Sequence, residues 1–379
     1  MKRFYLDHNA TTPLDPRVLE KMLPWLQSGT LGNPSSVHAE GRKTRAAIDF
    51  ARERLAKLLK GKPSEIIFTG GGTESNNLAI LGLARAYSHR GKHLITSAGE
   101  HHAVLHAFDY LKTHEGFEIT VLPLTPSGKI EIQSLAQAIR KETILVSILS
   151  SNNETGVLSP MKEIGALCSQ HQILFHTDAV QSAGKEALIP SDWNLTAMSL
   201  TAHKFYGPQG AGLLYLKAGT SLQSLHLGGS QENQRRPGTE TVSAITGFVE
   251  AYEIAQQDSE IERKRLYDLT ESLWNGIADL PGIQRNGDPE KRLSNTLNVS
   301  FTHHQGEELL MGMDLAGLAV SSGSACMVGS VQTSHVLQAM GIPDSKAQAT
   351  VRFSMGRKTA SEDLPEIIDR IRRVILSQR

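Results

Sequence analysis

The sequence lacks both a net charge and any long apolar run. Lys plus Arg and Asp plus Glu each number 39 among the 379 residues, so the formal net charge is +0. This balance excludes an overall field that would direct the protein to nucleic acid or to an anionic membrane. No apolar run approaches the roughly 18 residues needed to span a bilayer, and no apolar signal region follows the basic start of the chain. We therefore expect a cytoplasmic protein with no direct nucleic-acid or membrane partner.

Cysteine is also scarce, since the chain contains only Cys168 and Cys326. Two thiols far apart in sequence favour free thiols in a reducing compartment. Cys168 falls on the apolar face of a predicted helix, where we expect inert packing. Cys326 lies among small residues in Ser321–Ser330, with no apolar periodicity that would bury it. An exposed thiol near a cationic site is a candidate nucleophile, and an incidental cysteine is the alternative.

From residue 45 onward, short apolar runs alternate with helical patterns. Runs of about 4–8 residues are typical of strands, and their alternation with helices predicts an α/β fold whose mostly parallel sheet is covered on both faces. The expected strands lie at 65–69, 93–97, 117–124, 143–150, 173–177, 197–200 and 212–216, and the expected helices near 45–60, 74–89, 101–114, 131–140 and 160–171.

The length of the chain predicts two domains. A charged amphipathic stretch over 242–279 predicts one long connecting helix, and three later apolar runs are typical of strands in a smaller α+β domain. These runs lie at 292–301, 318–323 and 350–355. We assign residues 15–257 to the large α/β domain, and residues 1–14 together with 258–379 to the smaller domain that carries Cys326.

A glycine-rich turn follows the first predicted strand, at the sheet edge where open parallel sheets bind ligands. The strand at 65–69 runs directly into Gly70–Ser75. Glycines permit close backbone approach and a helix N-terminus offers free N–H groups, so the turn is a candidate anion site. No Gly-Lys-Ser/Thr follows, which excludes a P-loop, and a plain turn is the alternative.

Two charged residues end neighbouring strands of the same predicted sheet. Asp178 closes one apolar run, and a buried aspartate requires a cation, either an arginine or the pyridinium nitrogen of pyridoxal phosphate (PLP). Lys204 follows His203 at the lip of the next strand, where an amine can lose its solvation and form a Schiff base; an ordinary surface lysine is the alternative. Together with His101 and the glycine-rich turn, these residues predict a PLP site.

Two further patterns concern metals and anions. His102 and His106 lie four residues apart, but no third ligand accompanies them, so we predict no metal site. Arg352 lies inside an apolar strand and needs an anionic partner. A substrate carboxylate fits the bidentate fork of its guanidinium group.

With these motifs in place, the chain resembles the cysteine desulfurases of the class V aminotransferase group, which are fold-type I PLP enzymes. The resemblance covers nearly the whole chain and includes the long span between Cys326 and Arg352, as in members with a mobile loop that carries sulfur outward. The segments that carry it are Leu6–Thr12, Gly32–Ser35, Gly72–Asn76, Glu100-His101, Asn152–Glu154, Asp178–Gln181, His203-Lys204, Arg236–Thr239, Ser322–Cys326 and Arg352–Ser354. It implies a fold-type I transferase with a large, mostly parallel-sheet domain and a smaller α+β domain.

The resemblance also implies a homodimer and a role for each site residue. PLP forms a Schiff base with Lys204, while His101 stacks on its ring. The other residues implied to bind the cofactor are Asp178 at the ring nitrogen, Gln181 at the ring oxygen and Asn153 at the cofactor or substrate. Gly72, Thr73, Thr201 and His203 are implied to lie around the phosphate, where Thr239 from the second subunit joins them. Asn33 and Arg352 are implied to hold the carboxylate of free L-cysteine.

The implied reaction converts L-cysteine to L-alanine through a ketimine. Lys204 removes the Cα proton, the Cys326 thiolate attacks the substrate sulfur and retains it as a persulfide, and His101 is the acid–base for protons around the sulfur. A selenocysteine lyase or a class V aminotransferase is the alternative enzyme, and a non-catalytic scaffold paralogue is the alternative without activity.

The partners implied by the resemblance are L-cysteine and a sulfur-acceptor protein. Acceptors in this family serve iron–sulfur cluster assembly or the thiolation of cofactors and tRNA. Met327–Gly329 stands where relatives often carry small polar residues, and His226–Ser230 departs from a usual triple glycine. Because the sequence ends at Arg379, we expect no extension of the kind by which some members dock an iron–sulfur scaffold, and the resemblance implies no particular acceptor.

Overall fold

The computed structural model describes residues 2–27, 32–302, 304–322 and 333–377. Its strands are β1 (Phe4–Tyr5), β2 (Ile66–Thr69), β3 (His93–Ser97), β4 (Glu118–Leu122), β5 (Thr143–Ser147), β6 (Leu174–Asp178), β7 (Ala197–Thr201), β8 (Gly212–Leu216), β9 (Ile283–Asn286), β10 (Thr296–Phe301), β11 (Leu318–Ala319) and β12 (Thr350–Ser354). Its α-helices are α1 (Pro16–Met22), α2 (Ala39–Leu58), α3 (Gly72–Tyr87), α4 (His102–Glu115), α5 (Ile132–Ala138), α6 (Met161–Gln170), α7 (Val242–Gln257), α8 (Ser259–Ile277), α9 (Gly306–Leu315), α10 (His335–Ala339), α11 (Asp344–Gln348) and α12 (Leu364–Ser377).

A seven-stranded sheet with the order β2-β8-β7-β6-β5-β3-β4 forms the centre of the fold. The strand β8 runs antiparallel to its neighbours β2 and β7, and all other neighbouring pairs are parallel. The predicted α/β fold with a mostly parallel sheet is therefore confirmed. Parallel strands that are buried on both faces are largely apolar, and β3, β5 and β7 are buried at every position.

Successive residues of the central strands enter two different cores. Val146 and Met198 pack into one cluster with Phe248 of α7, while Leu145 and Ala197 pack into another with helices α3 and α4. Side chains alternate across a strand, so each strand contributes to both layers of helices. These two cores hold the sheet rigid, and its carboxyl edge is a fixed platform for polar side chains.

A third core lies beneath a three-stranded antiparallel sheet with the order β12-β10-β9. Phe4 and Leu6 from the start of the chain join it, together with apolar residues of α8, α9 and α12. The short strand β1 pairs in parallel with β11, which ties the first residues to the last third of the chain. This arrangement is α+β, as expected, while the domain boundaries at 14/15 and 257/258 stay a prediction.

The stretch predicted as one long helix over 242–279 is two helices, α7 and α8, with Asp258 between them. The sequence pattern is amphipathic throughout, but the two halves bury their apolar faces in different cores. Phe248 and Tyr252 belong to the core of the central sheet, whereas Leu266 and Leu273 belong to the smaller one. Within the part of the chain that the structure describes, no helix combines the length and the apolar character needed to cross a membrane.

Candidate active site

A cavity of about 380 Å³ opens at the carboxyl edge of the central sheet. Its walls come from the ends of β6 and β7, the first turn of α3, the N-cap of α4, the loop after β5, the N-terminal segment and β12. The predicted site residues in its lining are Gly72, Thr73, His101, Asn153, Asp178, Gln181, Thr201, His203, Lys204 and Arg352. Residues that are more than 270 positions apart, such as Gly72 and Arg352, thus meet around one space.

Lys204 reaches this cavity from a single 3-10 turn, Ala202–Lys204, directly after β7. Its Nζ donates hydrogen bonds to the carbonyl oxygens of Asn9, at 2.8 Å, and Ala10, at 2.6 Å. These carbonyls belong to the loop after β1, so the N-terminal segment holds the amine in place. The two carbonyl oxygens orient the amine within the cavity.

Asp178 is the last residue of β6 and is only 8% exposed. Its Oδ2 accepts a hydrogen bond from Asn76 Nδ2 at 2.6 Å, and its Oδ1 accepts one from the N–H of Val180 at 2.9 Å. Among the residues described, no lysine or arginine forms an ion pair with this carboxylate. A structural arginine pair, which was one reading of Asp178, is therefore not what the structure shows.

The glycine-rich turn places the start of α3 against β7. A Cβ atom at Gly72 would lie 2.9 Å from Val180 Cγ2, so a larger residue would require the helix start or Val180 to shift. The turn is held by Glu74, whose Oε2 accepts the N–H of Gly70 at 2.7 Å and which forms an ion pair with Arg236. Burial raises the pKa of Glu74, but the hydrogen bonds from Arg236 and Gly70 outweigh it and the pKa is lowered.

His203 and His101 both face the cavity as neutral rings near pH 7. Burial, followed by the nearby cations of Lys204 and Lys185, lowers the pKa of His203 to about 4. Burial also lowers the pKa of His101, and Lys204 adds to this effect while Asp178 opposes it. His101 is the N-cap of α4, and its Nδ1 accepts the N–H of Ala103 at 3.1 Å. The proton of its neutral ring therefore lies on Nε2.

Arg352 is 2% exposed and already has an anionic partner within the chain. Its Nη2 pairs with Asp7 Oδ1 at 2.8 Å, and its Nη1 donates to the carbonyl oxygen of Asn153 at 2.9 Å. Its Nε, by contrast, has no hydrogen-bond partner among the described residues. The requirement for an anion was correct, and Asp7 is the partner that sequence reasoning missed. The role of Arg352 in binding a substrate carboxylate stays a prediction.

Two of the predicted site residues that the structure describes are not in the lining of this cavity. Asn33 is exposed, and its Oδ1 accepts the N–H of Ser35 at 2.9 Å in a turn before α2. Thr239 is exposed in the segment before α7. Cys326 lies outside the described residues. Cys168, in contrast, is fully buried, and burial raises the pKa of its thiol to about 12, as expected for an inert packing residue.

Asn9 and Asn76 are cavity residues to which the sequence analysis assigned no role. Asn76 lies four residues after Gly72, so both fall on the same face of α3, and that spacing was a usable signal. Asn9 donates from Nδ2 to Thr296 Oγ1 at 2.9 Å and accepts from Asn295 Nδ2 at 3.0 Å. These long-range contacts have no local pattern that could have announced them.

The residues around the cavity suit PLP. A buried carboxylate with no ion-pair partner in the described chain matches a cationic ring nitrogen, and a lysine amine lies in the same cavity. The helix N-terminus at Gly72 and Thr73 supplies N–H groups for a phosphate, at a point where Gly72 has no room for a side chain.

Comparison with known proteins decides the family, because residues 4–367 match the family described as Aminotransferase class-V. The chain belongs to this family. It is 45% identical to the cysteine desulfurase IscS of Dictyoglomus turgidum, over 99% of this chain and 95% of that protein. It is 46% identical to the cysteine desulfurase IscS of Klebsiella pneumoniae subsp. pneumoniae, over 98% of this chain and 92% of that protein. The predicted relationship to cysteine desulfurases is confirmed.

Solved structures agree with this assignment. A NifS-like protein superposes with a TM-score of 0.93 at 34% identity, covering 99% of both chains. DndA from Streptomyces lividans superposes with a TM-score of 0.78 at 35% identity, covering 93% of this chain and 99% of that one. The fold is that of fold-type I PLP enzymes, and PLP is the cofactor. The reading as a non-catalytic scaffold is set aside.

Proposed function

We propose that this enzyme removes the sulfur from free L-cysteine, releases L-alanine and holds the sulfur on Cys326 as a persulfide. The observation that carries the proposal is that the Asp178 carboxylate and the Lys204 amine line one cavity. The kinship to proteins named cysteine desulfurase IscS supports cysteine as the substrate. Cys326 belongs to the segment Ser322–Cys326, which resembles the cysteine desulfurases. Its presence supports sulfur transfer over simple transamination, because transamination needs no thiol.

Residues at the sheet edge would hold the cofactor. Bound PLP supplies an electron sink for the electron pair that is released when the Cα proton leaves. Asp178 would pair with the ring nitrogen, since Asn76 and the N–H of Val180 already hold its two oxygens in place. The phosphate would bind at the N-terminus of α3 with Thr201 and His203, where the neutral His203 ring acts as a hydrogen-bond donor.

Lys204 and His101 would control the protons. The Nζ of Lys204, in its neutral form, accepts the Cα proton of the substrate. The backbone N–H of Ala103 occupies Nδ1 of His101, so this ring presents an N–H at Nε2 and donates a hydrogen bond to the substrate sulfur. In this role His101 would act at Nε2 as a hydrogen-bond donor to the substrate sulfur rather than as a base.

The sulfur step balances without an outside oxidant. The Cys326 thiolate forms an S–S bond to the substrate sulfur, while the Cβ–S bond breaks and its electron pair passes to the carbon. Protonation of that carbon yields the methyl group of alanine. The enzyme thiol is oxidised to a persulfide, and the substrate carbon is reduced.

Mass spectrometry of the PLP-loaded enzyme after exposure to L-cysteine tests the proposal. One added sulfur atom is expected on the peptide that contains Cys326, with one alanine released per persulfide. Cys326→Ala should abolish both, whereas Cys168→Ala, which removes the other thiol, should retain both. Full turnover of L-cysteine in Cys326→Ala would contradict the persulfide route.

We further propose a cytoplasmic homodimer that passes sulfur from Cys326 to an acceptor protein. The exposure of Thr239 outside its own cavity supports a role in the cavity of a second copy. Mixed dimers test this directly, because a Lys204→Ala subunit keeps Thr239 and a Thr239→Ala subunit keeps Lys204. Mixing them should restore one intact site per dimer and raise activity above that of either parent. Activity no higher than the average of the two parents would count against sharing of Thr239.

A further inference from the structure

The chain on either side of residues 323–332 is attached to the rim of the cavity. On the upstream side, Ser321 and Arg352 form an isolated antiparallel bridge. The N–H of Arg352 donates to the carbonyl oxygen of Ser321 at 2.6 Å, and the N–H of Ser321 donates back at 3.4 Å. Arg352 itself lines the cavity, so the entry to this stretch is fixed beside the site.

On the downstream side, the attachment is a contact between two buried side chains, Ser334 and Glu154. Both residues are 2% exposed, and Ser334 Oγ donates a hydrogen bond to Glu154 Oε2. Ser334 Oγ also accepts the N–H of Leu337 at 3.2 Å, which makes Ser334 the N-cap of α10. One hydroxyl group thus starts a helix and joins it to the residue after Asn153, a cavity-lining residue.

The backbone of Glu154 is fixed independently of Ser334. Its N–H donates to Asn152 Oδ1 at 2.9 Å, and its carbonyl oxygen accepts from Asn298 Nδ2 at 3.2 Å. Glu154 is therefore a rigid anchor, and Ser334 is the group that docks on it. If the buried carboxyl group of Glu154 lost the Ser334 donor, one of its oxygens would have no hydrogen bond in place of the lost one. This cost in free energy favours the docked position of Ser334.

A neighbouring contact supports the same docking. His335 Nε2 donates to the carbonyl oxygen of Glu100 at 2.9 Å, and its ring centroid lies 4.6 Å from that of His102. Glu100 and His102 flank His101 in sequence. Val336, Leu337 and Met340 form a small core that packs against Leu124, so apolar burial holds α10 in the same place.

We propose that Ser334 and Glu154 are positioning residues for the sulfur-transfer step, because they fix the chain eight residues after Cys326 against the rim of the cavity. The inference rests on the proposed role of Cys326. Ser321 and Ser334 are both attached at the rim of the cavity, and Cys326 stands between them in sequence, so the two attachments would raise the effective concentration of its thiol at the substrate sulfur. The contact between Ser334 and Glu154 would affect the transfer of sulfur to Cys326. Other residues would bind L-cysteine.

A single-turnover experiment on the PLP-loaded enzyme separates the binding of L-cysteine from the transfer of its sulfur to Cys326. The change in cofactor absorbance on adding L-cysteine reports substrate binding, and quenched samples analysed by mass spectrometry report the rate of persulfide formation on Cys326. Ser334→Ala should slow persulfide formation roughly tenfold with an unchanged dissociation constant for L-cysteine. Ser334→Thr, which keeps the hydroxyl group, should restore the rate.

Two further variants complete the design. Glu154→Met removes the acceptor and should slow the same step to a similar extent, and the double variant should be no slower than either single variant, because both remove one contact. Thr333→Ala is the matched control, since the hydrogen bond described for Thr333 Oγ1 comes from Gln348, at 3.1 Å, and not from Glu154. This control should transfer sulfur at the wild-type rate.

The possible results are distinct. A wild-type rate in Ser334→Ala or Glu154→Met, or additive losses in the double variant, would overturn the inference while leaving the desulfurase reaction intact. Equal losses of binding and transfer that follow a lower melting temperature would assign Ser334 a structural role only and would also overturn it. If the wild-type enzyme itself forms no persulfide on Cys326, the proposed function fails first and the inference fails with it.

Discussion

The two sides of the cavity are built in different ways. The sheet side consists of Asp178, Lys204 and the turn at Gly72, each placed by the end of its own strand or the start of its own helix. The opposite side depends on an ion pair between Arg352 and Asp7, which are 345 residues apart. The first side is assembled by local rules and suits a cofactor, whereas the second exists only after the chain has closed on itself and suits a substrate.

Removal of the Lys204 amine should have the largest effect on the sheet side. Lys204→Ala takes away the group that would attach PLP and accept the Cα proton, so alanine formation should fall by at least about a thousandfold. The measurements are the rate of alanine release and the absorbance band of the bound cofactor, which should both be lost. Lys217→Ala, at an exposed position directly after β8, is the control and should behave like the wild type. Retained activity in Lys204→Ala would remove the basis of the sheet-side assignment.

Asp178→Asn keeps the shape of the side chain but removes its charge. Without a carboxylate at the ring nitrogen the electron sink is weaker, and kcat should fall by about a hundredfold or more. Steady-state kinetics with saturating PLP measure this, with Asp192→Asn at an exposed site as the control. An unchanged kcat would indicate that Asp178 serves the structure alone.

Acid should destabilise the sheet side through His176, which is fully buried on β6. Burial lowers the pKa of His176 from 6.5 to about 3, and its ring nitrogens bond to Ser147 and Ser199 at 2.8 and 3.0 Å. Because the unfolded chain binds a proton below pH 6.5 and the folded chain does not, this contribution is full above that pH and is lost as the pH falls towards 3. The loss should reach on the order of 3 kcal/mol by pH 4.

Chemical denaturation at pH 7 and at pH 4.5 checks this expectation. His176→Gln should lose less stability than the wild type over this interval, whereas His171→Gln, at an exposed position, should lose as much. Equal acid sensitivity of His176→Gln and the wild type would show that other groups dominate.

Arg352→Lys should have the smallest effect of these substitutions. It should change the binding of L-cysteine more than the chemical step. A lysine keeps the charge for Asp7 but loses the planar fork that also holds Asn153, so KM for L-cysteine should rise about tenfold with a smaller change in kcat. Steady-state kinetics give the comparison, with Arg263→Lys at an exposed site as the control. A fall in kcat at constant KM would move Arg352 from substrate binding to the chemical step.

Much of the fold and the sheet side of the site could be predicted because short-range patterns carry them. Apolar runs such as Thr143–Ser147 marked buried parallel strands, and Asp178 and Lys204 were found because each directly follows such a run. The same approach failed over 242–279, where a continuous amphipathic pattern concealed a break at Asp258. Periodicity reports that one face is buried, but not in which core it is buried.

The sequence by itself predicted the mostly parallel sheet and, at its edge, a PLP site with Asp178, Lys204 and the turn at Gly72, because strand ends and helix starts are local features. Only the tertiary structure decided that Arg352 pairs with Asp7, that Nδ1 of His101 is occupied, and that Ser334 docks on Glu154. The two long-range contacts depend on how separate segments pack. Which ring nitrogen of His101 carries the proton depends on the N-cap hydrogen bond that the ring accepts at the start of α4. No periodicity or spacing in the chain encodes contacts of that kind.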